Sequence, residues 1–152
     1  MFEQRLAELG ITLPEAASPS FNYVPVALHR GIAYVAGQLP KVDGEVKVQG
    51  KAGDTVSPDV ARAEARICIL QGLACLKQAL GTLDRIERVL KVTGFVASAA
   101  GFNDQPKVLD AASDLLGEIF GEAGRHARSA IGVAELPRNA VVEIEMVVAY
   151  RD

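Results

Sequence analysis

The hydrophobic positions of this chain change period several times, and each change marks an element. "YVPVALHR" and "IAYVAGQ", set about Arg30-Gly31, alternate as two strands around a tight turn. Asp43-Gly44, between "LPKV" and "EVKV", is a second hairpin signal. At Ser57-Pro58-Asp59 the period becomes helical, with a capping hydroxyl, a proline at the first helical position and an acid facing the dipole's positive end. The spacing predicts a helix to about Leu80, ended by Gly81. Ala63, Ile67, Leu70 and Ala74 form one apolar stripe on it, and Ala65, Ile69, Gly72, Leu76 and Leu80 form a second, beside a polar line of Glu64, Gln71 and Gln78. A helix apolar on two sides covers a sheet and touches something else as well.

"RVLKVTGFVAS" reads as a buried strand in which Gly94 marks a candidate bulge. Asp104 and Pro106 open a second helix, whose Val108, Ala112, Leu115 and Ile119 share one face before Gly121 ends it. The chain closes on "HARSAIGVAELPRNAVVEIE", two apolar strands joined by a turn, continuing into "MVVAY". At the other end, "MFEQRLAELG" is a short amphipathic helix and "TLPEAASPS" a loop. Hairpin strands with two crossing helices predict an α+β domain with a mostly antiparallel sheet and both helices packed on one face. Along the last strand Val142, Ile144, Met146 and Val148 share one side, which can meet the helices. Val141, Glu143, Glu145, Val147 and Ala149 share the other, mixed side, of a kind that lies against another subunit or lines a cleft.

Bulk properties narrow the picture. The 152 residues, 49% hydrophobic, suit one domain over 1–152, with helix and loop 1–20 as an N-terminal extension. No run of about 18 apolar residues predicts a membrane span. The N-terminus lacks the basic start and apolar core of a secretion signal, so the expectation is a cytoplasmic protein. A formal charge of −3 and 5% aromatic residues argue against a nucleic-acid surface. Cys68 and Cys75 stand ~10.5 Å apart along one helix, too far to bridge, and read as reduced residues.

The candidate chemistry gathers near the C-terminus. Arg128 and Glu143 read in two ways: as a salt bridge or solvated strand ends, or as a guanidinium that grips a carboxylate beside an acid–base glutamate. If their strands pair antiparallel, an even loop such as Pro137-Arg138 or Leu136 to Asn139 puts the two on one face. Glu145 shares the face of Glu143 and is an alternative partner for Arg128. His126, two residues before Arg128, reads as an incidental loop histidine or as an acid–base group in the same cleft. Neither it nor His29 has a partner at metal-ligand spacing, so no metal is expected. Ser129 points away from Arg128 and has no adjacent base; phosphate-loop and nucleophile-elbow motifs are missing. Tyr23 is ordinary by composition, and Gly37 reads as a bulge or a close backbone approach.

Arg128, Leu136-Pro137, the Glu143-Ile-Glu145 run, "GQLP" at 37–40 and Tyr23 together resemble the YjgF family, also called the Rid or reactive intermediate deaminase family, over about Asn22 to Val148. The stretches "NYVPV" and "DQPKVLDAASDLLGEIFGEAGRHAR" resemble a less characterised branch of it. The resemblance implies a chorismate-mutase-like α+β subunit, a homotrimer and ligand clefts between subunits. It implies that Arg128 holds the carboxylate of a 2-imino or enamine acid, that Glu143 helps water release ammonia, and that Tyr23 and Gly37 line the pocket without metal or cofactor. The family's helix asparagine falls near Ser113, its proline two before the arginine is His126, a common cysteine is Ala130, and a serine is Ala36. These departures bear on the substrate more than on carboxylate binding. The expected function is hydrolytic deamination of such acids, with a carboxylate-binding regulatory module as the alternative and an endoribonuclease as the weaker one.

Overall fold

The computed structural model describes residues 1–18 and 21–152. Its first strands are set by their turns. Arg30 and Gly31 both take positive φ (48° and 78°), the backbone twist that folds Val26–His29 (β1) antiparallel onto Ile32–Gln38 (β2). Asp43 and Gly44 do the same (53° and 79°) and close Lys41–Val42 (β3) on Glu45–Val46 (β4) as a separate two-stranded ribbon. The N-terminal helix α1 spans Phe2–Glu8, and the long helix α2 spans Pro58–Leu80. Ser57 caps α2 by accepting from the Val60 amide at 3.2 Å, and Gly81 ends it at φ 88°. Then follow Ile86–Ala97 (β5), Gln105–Phe120 (α3), Ala127–Val133 (β6) and Val142–Tyr150 (β7).

The main sheet runs β1-β2-β7-β5-β6. Every pairing is antiparallel except β5 with β6, whose crossover is α3. This corrects the expectation that the last two strands form a hairpin. β5 lies between β6 and β7, because the chain leaving β6 crosses the end of β5 before returning as β7. Arg138 and Asn139, both left-handed (φ 56° and 57°), turn it there.

Strand register sorts the side chains onto two faces. Val92 opposite Met146, Val96 opposite Val142, and Ile144 point into the core beneath α2 and α3. Thr93 opposite Glu145, Phe95 opposite Glu143, and Tyr34 opposite Val147 point the other way. On that outer face Tyr34 is 52% and Ile131 46% exposed. So the alternation expected along the last strand is present, and both long helices cover one face only. A third helix joins them: α1 packs Leu6 into the core and sets Phe2 edge-on against Phe120 at 4.7 Å between ring centroids. The amides of Phe2 and Glu3 donate to Oδ1 of Asp84 at 2.6 and 3.1 Å. No helix among the described residues is long and apolar enough to cross a membrane.

Two expectations about the interior need correcting. Gly94 is no bulge: it pairs in register with Ile144 and Ala130, and the shifts in β5 lie nearer its start. Its missing side chain instead admits Leu109 of α3, whose Cδ2 would lie 2.7 Å from an added Cβ. Two of the three residues in the polar line on α2 are also buried, and only Gln78 is exposed. Gln71 is buried with its Nε2 donating to the Lys41 carbonyl at 2.9 Å, and Glu64 is buried at 7% exposure, while Ala63 of the supposed apolar stripe faces water. The segment around β3 and β4 covers that side of the helix, an arrangement helical periodicity alone does not reveal. Cys68 and Cys75 are buried free thiols, Cys68 donating to the Val142 carbonyl at 3.7 Å.

Two measurements check this packing. Gly94→Ala should cost about 1–3 kcal/mol in urea unfolding by overpacking Leu109, and adding Leu109→Ala should be less than additive. Burial holds the Glu64 carboxyl above its usual range, with its Oε2 unpartnered among the described residues. The folded state therefore favours the protonated acid, and stability falls as pH rises from the unfolded carboxyl range through the raised value. Glu64→Gln should remove that slope and raise Tm at pH 7 by roughly 2–4 °C, the shift expected of about 1 kcal/mol in a chain of this size. An unchanged pH slope would show that Glu64 does not carry its charge into the core.

Candidate active site

The outer face acquires a cleft where β2 breaks step. The β2–β7 register shifts between Val35 and Gln38, so Ala36 and Gly37 occupy the bulge, and the Gln38 side chain folds inward to donate from Nε2 to the Ala36 carbonyl at 3.1 Å. Gly37 has nothing but hydrogen where the carboxylate of Glu143 lies. An added Cβ would come within 3.0 Å of Glu143 Cδ and closer still to Oε2. The bulge and the close approach expected of Gly37 are thus both present.

Around this pair opens a cavity of about 330 Å³, lined by Tyr23, Gly37, Gln38, Lys41, Arg138 and Glu143 among others. Tyr23 is half exposed at its margin. Burial pushes the Glu143 carboxyl above the usual carboxylate range, and the like charge of Glu145, two residues on along the same face, pushes it further. No cation contributes to that shift. A carboxylate so placed can exchange a proton nearer neutrality than a solvated one.

Arg128 stands elsewhere. It pairs in register with Val92, so it points to the helix side of the sheet from the edge strand β6. Its Nη1 donates to Oδ1 of Asp110 at 2.8 Å and to Oγ of Ser113 at 3.1 Å, and Nη2 reaches the Pro106 carbonyl at 3.4 Å. His126 completes the chain of bonds. Its Nδ1 lies 2.6 Å from the Gly124 carbonyl, which can only accept, so Nδ1 carries the proton. Nε2 is then free to accept from the Ser113 hydroxyl at 2.9 Å. Ser113, His126 and Arg128 line a shallow cleft of about 380 Å³ with Arg125 and Asp114.

The six residues singled out from sequence therefore form two groups of three. Tyr23, Gly37 and Glu143 meet on the outer face; Ser113, His126 and Arg128 meet against α3. A single chain does not bring Arg128 to Glu143 or Glu145, which corrects the same-face expectation. The loop-length argument failed because the two strands never pair. Ser129 faces away from Arg128, as its alternation requires. No group of three or more His, Cys, Asp or Glu side chains could hold a metal among the described residues. Sequence reasoning missed Asp110, Lys41 and Arg138. Asp110 carries no local signal, because only packing sets it beside Arg128. For Arg138, the Pro-Arg-Asn turn was the available hint.

A family model described as YjgF/chorismate mutase-like, putative endoribonuclease, matches residues 3–149. The chain belongs to this family. Protein TCP17 of Trypanosoma cruzi is 44% identical over 144 residues, spanning 94% of this chain and 90% of its own length. The crystal structure of protein Atu1372 of Agrobacterium tumefaciens, a protein of unknown function, superposes with a TM-score of 0.91 at 46% identity, covering 99% of this chain and 92% of that one. A 2-iminobutanoate/2-iminopropanoate deaminase of Dermatophagoides farinae is 44% identical over 64 residues, 42% of this chain and 44% of its own. The YjgF-type fold, an α+β subunit with a mostly antiparallel sheet and three α-helices, is the one described above.

In this YjgF-family site the electrostatics of Glu143 can be tested alone. Glu145→Gln removes the nearby like charge, so the Glu143 carboxyl should titrate at lower pH while staying above an exposed glutamate. Carbon-13 NMR titration of the labelled carboxyl reads this directly, and an unmoved midpoint would leave burial as the sole cause.

Proposed function

We propose that this YjgF-family chain hydrolyses small 2-imino or enamine acids to 2-oxo acids and ammonia, in a cleft that two copies of a homotrimer complete. The observation carrying the reading is Glu143, a half-buried carboxylate with a raised proton affinity, seated against Gly37 in a cavity of small-molecule size. The partial relative named as an imine deaminase supports the same chemistry.

An imine carbon is already electrophilic, so positioning and one acid–base group are sufficient. Glu143 takes a proton from water as its oxygen bonds to the imine carbon. That proton passes to the imine nitrogen, giving a neutral carbinolamine; the hydroxyl proton then moves through Glu143 to the same nitrogen, the C–N bond breaks as ammonia leaves, and the carbonyl forms. Tyr23 packs against the substrate, and the backbone at Gly37 approaches it closely. The substrate carboxylate takes two parallel hydrogen bonds from Arg128. Since Arg128 and Glu143 occupy opposite faces of one sheet, Arg128 is assigned to a neighbouring copy's cleft. Its place on an edge strand and the half-exposed Tyr34 and Ile131 on the outer face suit such an assembly. Ser113 and His126 hold the guanidinium in position.

A second reading, a carboxylate-binding regulatory module without turnover, has one observation in its favour: Arg128 is already engaged by Asp110 at 2.8 Å. Ribonuclease activity has less support. The charge of −3 is unfavourable to RNA, and one of only two histidines has both ring nitrogens occupied.

Glu143→Gln should lower kcat/KM for ammonia release from freshly generated 2-imino acids by about 10²–10⁴-fold. Arg128→Ala should lower it at least about tenfold, while sedimentation still gives a trimer. Turnover unaffected by either change would overturn the mechanism. Tight 2-oxo acid binding without ammonia release from the wild-type protein would leave the regulatory reading in its place.

A further inference from the structure

We infer that the substrate carries a second carboxylate at the end of its side chain, held by Lys41 and Arg138. The chemistry of this inference rests on the deaminase reading, whereas the binding it describes does not.

Most of the sixteen lysines and arginines have a partner: a carboxylate, as for Lys51 with Glu135 and Arg66 with Glu118, or a backbone carbonyl, as for Arg88 and Arg151. The side chains of Lys41 and Arg138 have neither among the described residues, yet both line the cavity that holds Glu143. Lys41 and Glu143 are both half-buried and Arg138 is exposed, so the arginine stands at the rim while the glutamate lies against Gly37. The Arg138 backbone is left-handed at φ 56°, a conformation that favours glycine or asparagine. An arginine at this position therefore sits where the turn itself would prefer another residue.

These cations do not serve Glu143. Burial, and then the like charge of Glu145, hold its carboxyl above the usual range, and no ion pair to it is formed among the described residues. Neither Lys41 nor Arg138 forms an ion pair with Glu143 among the described residues, although all three line one cavity of about 330 Å³. Glu143 is the sole carboxylate lining the cavity among the described residues, so the two cations face no other acid there. A methyl or ethyl side chain would meet nothing here that requires two cations. A terminal carboxylate would accept charge-assisted hydrogen bonds from both. The class is then the 2-imino dicarboxylates, the products of oxidising an amino acid whose own side chain is acidic.

The test uses a matched pair of ligands that differ in one group. 2-Oxoglutarate ends in a carboxylate where 2-oxopentanoate ends in a methyl. Calorimetry on the 152-residue chain at low salt should show 2-oxoglutarate binding at least about tenfold tighter, the discrimination expected of one charge-assisted pair. The Lys41→Ala, Arg138→Ala double variant should lose that ratio, and Lys41→Arg should retain it. Both residues lie outside the core, and circular dichroism checks that the variants fold. In turnover, kcat/KM for ammonia release from 2-iminoglutarate should exceed that from 2-iminopentanoate by a similar factor, both imines being generated in situ by amino-acid oxidation. Equal affinities for the two oxo acids, or a preference that survives the double variant, would overturn the inference and leave the deaminase reading standing. A preference in binding with no ammonia released from either imine would do the reverse, retaining the dicarboxylate site and removing the deaminase.

Discussion

The carboxylate of Glu143 lies in the space that a side chain at Gly37 would occupy, and the arrangement of the outer face follows from that contact. The bulge in β2 brings the glycine alongside β7, and with no Cβ in the way the acid settles half-buried against backbone. Burial there, together with Glu145, raises its proton affinity. The loop residue Tyr23, Lys41 of the small ribbon and Arg138 of the left-handed turn then surround it. A larger residue at position 37 would displace the acid and close the cavity in one step.

Topology decides what can reach that acid. β7 occupies the middle of the sheet, between β2 and β5, so Glu143 sits centrally on an uncovered face. The parallel pairing of β5 with β6 leaves Arg128 at the sheet edge and turned toward α3. There it belongs to a closed run of hydrogen bonds from Asp110 through Ser113 and His126 to the Gly124 carbonyl. Such a run fixes the guanidinium plane and orients the imidazole tautomer. Arg128 and Glu143 are each held in place by their own surroundings, but on opposite faces of the sheet.

Beneath the sheet, glycines set how closely the helices approach. Gly94 admits Leu109 of α3, and Gly72 of α2 admits the methyl of Met146 from β7. Through these contacts β7, which carries the acid, is clamped from its core side by α2 while β5 is clamped by α3. Buried Gln71 ties α2 to Lys41 through the backbone carbonyl, joining the helix layer to the rim of the outer cavity. The frame is rigid where the acid needs a fixed position.

Local chemistry was legible along the chain wherever one short-range rule governed it. The Arg30-Gly31 and Asp43-Gly44 turns, the Ser57 cap, the Gly81 stop and the two-faced alternation of the last strand all depend on neighbours a few residues away. The family pattern of Tyr23, Gly37, Arg128 and Glu143 was likewise readable, because it is a matter of residue identity. Strand order was not, since α3 and the Pro137 turn could have returned β7 to β6 as easily by local rules. Only packing of α3 across the sheet made β5 and β6 parallel neighbours, and that placed Arg128 and Glu143 on opposite faces. Likewise, the burial of Glu64 and Gln71 and the meeting of Lys41 with Arg138 bring together residues that no sequence period relates. These were decided by tertiary structure, where contacts depend on how whole elements stack.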